Sequence, residues 1–208
     1  MNDAKCVLVV GATAGIGRAL ALAIHDLPSK PTVIVAGRRQ ERLDELCSKS
    51  ERIKGVQLDV TGGKDSLKEF STHVTTHYPE LDAVIFSSGI QHLFKLEEPE
   101  TIDLDLFETE LVTNYTSVIT MITYFLPQFL KLSEKGRPSF IVPITSVLGI
   151  VPGPWVPYYS ATKAALHSLS LSLHTQLKDT QVNVMEIFPP LVESELHDRK
   201  YKLTVFDD

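Results

Sequence analysis

Cysteine is scarce in this chain: Cys6 and Cys47 are its only two in 208 residues, forty-one positions apart. That excludes a disulfide framework, and no Cys/His cluster has the spacing of a metal site, so two free thiols in a reducing compartment and no metal are expected. Positive charge is not concentrated either. The formal net charge is -6, and no basic run exceeds Gly37-Arg38-Arg39, which argues against a nucleic-acid partner. No apolar stretch approaches the roughly 20 residues of a membrane span, and no basic segment followed by an apolar one precedes the first strand-like run. A cytoplasmic protein with no membrane partner is the expectation. Repeats, low-complexity tracts and linkers are missing too, so residues 1–208 read as one domain, with 189–208 a short C-terminal segment on the substrate side.

What is present is a repeated theme. Short β-branched runs recur at 6–10 (CVLVV), 32–36 (TVIVA), 55–59 (GVQLD), 83–87 (AVIFS), 139–145 (SFIVPIT) and 182–188 (VNVMEIF). They are mostly continuous, as suits strands buried on both faces of a parallel sheet. Helical patterns lie between them: GRALALAIHDL, QERLDELCSK, a long stretch from about Leu104 to Leu132, and ATKAALHSLSLSLHTQLK. In the last of these Leu166, Leu169, Leu173 and Leu177 share one face. The alternation predicts an α/β fold, a doubly wound parallel sheet of Rossmann type in three αβα layers. Pro143 sits inside the fifth run, where it removes a ladder donor and predicts a local irregularity.

Directly after the first run comes VGATAGIGRAL, with Gly11, Gly15 and Gly17 ahead of a helix. A strand exit, a close backbone approach to a pyrophosphate and a tight helix contact each call for glycine, and the helix start offers unpaired N–H groups to the phosphates. Dinucleotide binding follows. At the end of the second run a NAD site would offer a carboxylate to the ribose hydroxyls. Gly37, Arg38 and Arg39 stand there instead, giving room and a planar donor fork for a 2'-phosphate, so NADP(H) is favoured over NAD(H). Asp59, after the third run, is either a hydrogen-bond partner of the adenine or an ordinary strand-end or capping aspartate.

Several ordered motifs now stand together: GATAGIG, LDV at 58–60, SSG at 87–89, Asn114 in TNYTS, Ser146 in ITSVLG, YSATK at 159–163, and PPLVESEL at 189–196. On these the chain resembles the short-chain dehydrogenase/reductase family over residues 4 to about 195. The resemblance implies a catalytic tetrad of Asn114, Ser146, Tyr159 and Lys163. It also implies a cofactor site from Gly11, Thr13, Ala14, Gly15, Ile16, Gly17, Arg38, Arg39, Asp59, Val60, Ser88, Gly89, Asn114, Tyr159, Lys163, Pro189 and Val192. A homodimer or homotetramer is implied through the Asn114 and Tyr159 helices.

The chemistry agrees with that assignment. Hydride transfer to a carbonyl carbon builds alkoxide character on oxygen, which needs a proton donor and a second hydrogen bond. A phenol works better with a cation beside it, and Lys163 lies one helical turn from Tyr159. Ser146 would polarise the substrate oxygen, and Asn114 would hold a water relaying protons to Lys163. Tyr158 is rotated off that face and reads as a pocket-wall or packing aromatic. The seven histidines show no partner pattern and read as surface or core residues.

The expected substrate is an apolar carbonyl compound or secondary alcohol, walled by Ile90, Phe94, Trp155, Tyr158 and Leu191 beside Ser146. Three departures from the family pattern accompany this. Ser87-Ser88-Gly89 replaces Asn-Ala-Gly, and Pro189-Pro190 replaces Pro-Gly, stiffening the edge of the nicotinamide site. The chain also ends thirteen residues after Glu195, so the last strand and the substrate-covering segment are expected to be missing. That third departure motivates the alternative of a non-enzymatic NADP(H)-binding sensor or scaffold subunit.

Overall fold

The computed structural model describes residues 4–192, 195 and 196. Six strands among them form one parallel sheet: β1 (Cys6–Val10), β2 (Thr32–Gly37), β3 (Ile53–Gln57), β4 (Leu81–Phe86), β5 (Ser139–Pro143) and β6 (Val182–Val184), in the order β3-β2-β1-β4-β5-β6. The winding reverses between β1 and β4, which opens a crevice at their carboxyl ends, the usual ligand position in such sheets.

The central strands are continuous apolar runs because both faces are covered. Leu8, Val10, Ile34 and Ala36 point into a core shared with α3 (Gly63–His77), α5 (Ser117–Glu134) and α6 (Pro157–Gln176). Val7, Val9, Val33 and Val35 point the other way, against α1 (Gly15–His25) and α2 (Gln40–Cys47). The result is the three-layer arrangement, with Leu166, Leu169 and Leu173 of the last helix, and Leu177 just past its end, on the first core as their spacing predicts.

Several boundaries differ from the sequence expectation. The third strand lies two residues earlier than the run at 55–59 and, as an edge strand, exposes Lys54, Gly55 and Gln57. The sixth pairs over three residues only, continuing as a bridge between Ile144 and Ile187. Pro143 ends β5; its carbonyl accepts from Ile187 N at 3.1 Å, while Ile144 N donates to Phe86 O at 3.0 Å, so the ladder passes around the missing donor. α3 was not among the expected helices, although Leu67, Phe70, Ser71 and Val74 form its buried stripe. The 104–132 stretch is two helices, α4 (Leu104–Leu111) and α5, joined by a wider π turn over Val112–Thr116. In α6, Pro157 occupies the first turn, where its missing N–H costs nothing, so the helix starts ahead of Tyr159. The expectation about a missing last strand and cover rests on residues 193, 194 and 197–208, which lie outside the described ones.

Candidate active site

A cavity of about 1010 Å³ runs along the carboxyl ends of β1 and β4. One end holds Gly11, Thr13, Ala14, Gly15, Ile16, Arg38, Arg39, Val60 and Thr61; the other holds Ser146, Trp155, Tyr159, Lys163, Pro189, Leu191 and Val192, with Ser88, Gly89 and Ile90 between. The glycine turn is pinned by Gly11 N and Ala12 N, which both donate to Ala36 O at 2.8 and 3.0 Å. Gly11 has φ +86°, and a Cβ there would meet Ser88 N at 2.5 Å. Glycine is therefore required twice over, for the left-handed backbone and for the close approach of the β4 loop. No side chain caps α1 and no acid lies in its first turn, which leaves its N–H groups open toward the cavity. Gly17 lies in that turn but does not line the cavity; a Cβ on it would run into the Gly11 carbonyl.

Around the arginines the structure adds partners that the sequence does not reveal. Arg39 donates to Thr13 Oγ1 from Nε at 3.2 Å and from Nη2 at 2.9 Å, and from Nη1 to Glu195 at 2.7 Å. Arg42, unforeseen from sequence, donates to Thr13 O at 3.2 Å and to the other Glu195 oxygen. The hydrogen bonds from Arg39 and Arg42 to Glu195 hold its carboxyl below its usual range. Arg38 is exposed and lines the cavity. Gly37 admits Thr13, whose Cγ2 would lie 2.7 Å from an added Cβ, so a carboxylate side chain at 37 would displace this cluster. Asp59 does not line the cavity. Its Oδ1 accepts from Thr61 N at 2.9 Å and Thr61 Oγ1 at 2.7 Å. Partial burial works to raise this carboxyl, but the Thr61 hydrogen bonds outweigh it and hold the group low. Its Oδ1 thus shapes the turn at the end of β3.

At the other end Ser146, Tyr159 and Lys163 are buried together on the cavity wall. Lys163 Nζ donates to Ile144 O at 2.8 Å and sits 5.5 Å from the Tyr159 ring centroid. Burial pushes the Tyr159 phenol up to about 12, opposed by a hydrogen bond with Ser146, and pulls Lys163 down to about 8, opposed by the charge of Glu110. Desolvation is the largest influence on both groups, and it keeps the Tyr159 phenol a protonated donor. Asn114 is fully buried in the π turn, not in a regular helix. Its Oδ1 accepts from Ile90 N at 2.9 Å, and its Nδ2 donates to Ile90 O at 2.9 Å and to Thr162 Oγ1 at 3.2 Å. The side chain thus ties the β4 loop to α6.

Two expected wall residues do not line the cavity. Phe94 is buried, and Tyr158 packs between it and Phe107 at centroid distances of 4.6 and 4.3 Å; this outward stack follows from the rotation of position 158 away from the lysine face. Two residues the sequence reading passed over matter instead. Gly149 brings the loop after β5 onto α6, since a Cβ there would lie 2.9 Å from Lys163 C. His92 lines the cavity and has a partner after all: its Nδ1 lies 2.8 Å from Oε2 of the fully buried Glu110, which also accepts from His92 N at 3.0 Å.

Comparison with known proteins completes the description. The short chain dehydrogenase family model matches residues 5–203. An uncharacterized oxidoreductase, DltE, of Bacillus subtilis (strain 168) is 35% identical over 196 residues, 93% of this chain and 73% of that protein. The NADP-dependent 3-hydroxy acid dehydrogenase YdfG of Salmonella typhimurium is 33% identical over 187 residues, 89% of this chain and 72% of its own length. Among solved structures, the closed form of serine dehydrogenase complexed with NADP+ superposes with a TM-score of 0.82 at 30% identity, covering 92% of this chain and 74% of that one.

Proposed function

This chain belongs to the short-chain dehydrogenase family, and we propose that within it the protein is an NADP(H)-dependent oxidoreductase interconverting a carbonyl group and a secondary alcohol on a small molecule. The observation that carries the reading is the joint placement of Ser146, Tyr159 and Lys163 at one end of a cavity whose other end is the uncapped α1 start with Arg38 and Arg39, Arg42 being bonded to Thr13 O beside them. NADP(H) fits these residues. The open N–H groups suit a pyrophosphate, and the arginines suit a 2'-phosphate. When bound, the cofactor supplies or accepts the hydride.

The chain's own part is the proton and the oxygen. In the reducing direction the Tyr159 phenol, held protonated by burial, gives its proton to the carbonyl oxygen as that oxygen gains charge. Ser146 donates a second hydrogen bond to the same atom. Lys163 then offsets the phenolate left behind, its ammonium fixed on Ile144 O and near the ring. Oxidation runs the same steps backwards. The 3-hydroxy acid dehydrogenase and serine dehydrogenase similarities, which span 72% and 74% of those proteins, support carbinol chemistry with NADP.

Tyr159→Phe tests the assignment. It removes one oxygen from a packed site, so NADPH binding by fluorescence titration should stay within about twofold while turnover falls at least about 10²-fold, the usual weight of a positioned acid–base group. Undiminished turnover would refute the role of Tyr159. NADPH binding with no turnover by the unsubstituted protein, across carbonyl and alcohol panels, would favour a sensor or scaffold.

A further inference from the structure

We propose that His92, held by the buried Glu110, is a specificity-determining residue that binds a carboxylate on the substrate, so that the preferred substrates are oxo acids and hydroxy acids. This deepens the oxidoreductase reading and rests on it for the identity of the reacting carbon. The observations are geometric. His92 lines the same cavity as Ser146, Tyr159, Lys163 and Trp155, and Glu110 Oε2 takes both its backbone N–H and its Nδ1. Such double anchoring fixes the ring and leaves Nε2, which has no protein partner among the described residues, as its one polar atom for a ligand.

The chemistry of Nε2 follows from the partner. Glu110 is 0% exposed, and its Oε1 is buried without a hydrogen bond. Burial raises its carboxyl, which favours the protonated acid, despite the opposing influence of His92 and Lys163. A protonated Glu110 donates from Oε2 to Nδ1, which places the ring's own hydrogen on Nε2. A donor is thereby presented in a wall formed there by Gln91 and the apolar Ile90, Leu93, Trp155 and Leu191. Among the described residues, Lys163 is the charged group lining this end beside it, and its ammonium suits an incoming anion. An apolar ketone would leave the Nε2 donor unpaired; a carboxylate satisfies it with a charge-assisted bond.

The test uses the full chain with NADP+, which holds no hydride to give, so oxo compounds bind without reacting. Pyruvate, acetoacetate and levulinate, each paired with its methyl ester, are titrated calorimetrically into the unsubstituted protein, His92→Gln and Glu110→Gln, with and without NADP+. At least one acid is expected to bind about 10-fold or more tighter than its ester, by the usual strength of a hydrogen bond to a charged group. His92→Gln should bring that ratio to near one while ester binding and NADPH binding hold. Glu110→Gln, which keeps a hydrogen-bonding partner for the ring, should lower the ratio and shift its pH dependence, a change that lost packing alone would not produce. Equal binding of acid and ester by the unsubstituted protein, no binding of any acid, or a ratio that survives His92→Gln overturns the proposal. Failure of the oxidoreductase reading would appear separately, as absent NADPH binding in a fluorescence titration or absent turnover with NADPH.

Discussion

Arg39 and Arg42 both hold Glu195 in the structure, and a 2'-phosphate would have to replace that carboxylate. The side chains of Arg39, Arg42 and Glu195 are 38%, 35% and 44% exposed, so each existing ion pair is screened and worth about 0–1 kcal/mol. A phosphate accepting charge-assisted bonds from one of these forks gains about 1.5–3 kcal/mol per arginine. Subtracting the pair that is given up leaves about 0.5–3 kcal/mol, so Arg39→Ala or Arg42→Ala should weaken NADPH binding roughly 2- to 150-fold. NADH has no 2'-phosphate and should change by less than about threefold, mostly through the hydrogen bonds that Arg39 gives Thr13. Thr13→Val isolates that last contribution, because it removes the hydroxyl and should affect both cofactors alike. Glu195→Gln should do the reverse of the arginine changes, tightening NADPH up to about fivefold and leaving NADH unmoved. Fluorescence titrations with both cofactors at low and moderate salt would read all four variants, with the NADPH effects shrinking as salt rises. Equal losses of NADPH and NADH affinity in Arg42→Ala would refute the reasoning.

Two further outcomes follow from the same geometry. Gly11 and Gly63 have nearly the same backbone angle, φ +86° and +84°, but only an added Cβ at Gly11 meets neighbouring atoms. Gly63→Ala should cost about 1–2 kcal/mol in urea unfolding for the left-handed backbone, and Gly11→Ala about 1–3 kcal/mol more for overpacking; equal losses would contradict the crowding argument. Lys163 stands at about 8 against an ordinary 10.5, so between those values the unfolded chain binds more protons than the folded one, and stability from this group rises with pH. The unsubstituted protein should therefore gain stability relative to Lys163→Met from pH 8 to 10 in denaturant titrations, while its carbonyl reduction falls through the same window as Lys163 loses charge; a flat difference in stability would refute the burial of that charge.

Much of the fold is written in single segments. A strand covered on both faces has to be apolar at every position, so β1, β2 and β4 announce themselves as continuous runs. An edge strand has no such obligation. Lys54, Gly55 and Gln57 are exposed in β3, and the apolar signal of Leu58 and Val60 drags the reading two residues toward the turn. α3 carried a legible stripe at Leu67, Phe70 and Val74, but its polar remainder hid it. The π turn at Val112–Thr116 has no pattern of its own, because one extra residue per turn leaves the flanking apolar periodicity nearly intact.

The site divides along the same line. Tyr159 and Lys163 can be paired from sequence because both lie on one helix, where a separation of four residues fixes their relation in space. His92 and Glu110 stand eighteen residues apart, one on the loop after β4 and one in α4, and nothing local relates them. The same holds for Thr13 with Arg42, and for either arginine with Glu195, more than 150 positions away. What decides such pairs is cost: a carboxylate with 0% exposure, such as Glu110, needs a donor in the folded state, and tertiary structure selects which donor. A histidine without a partner in the sequence is therefore no evidence of a histidine without a task, and residues near a buried acid are where a search for substrate-recognising groups should begin.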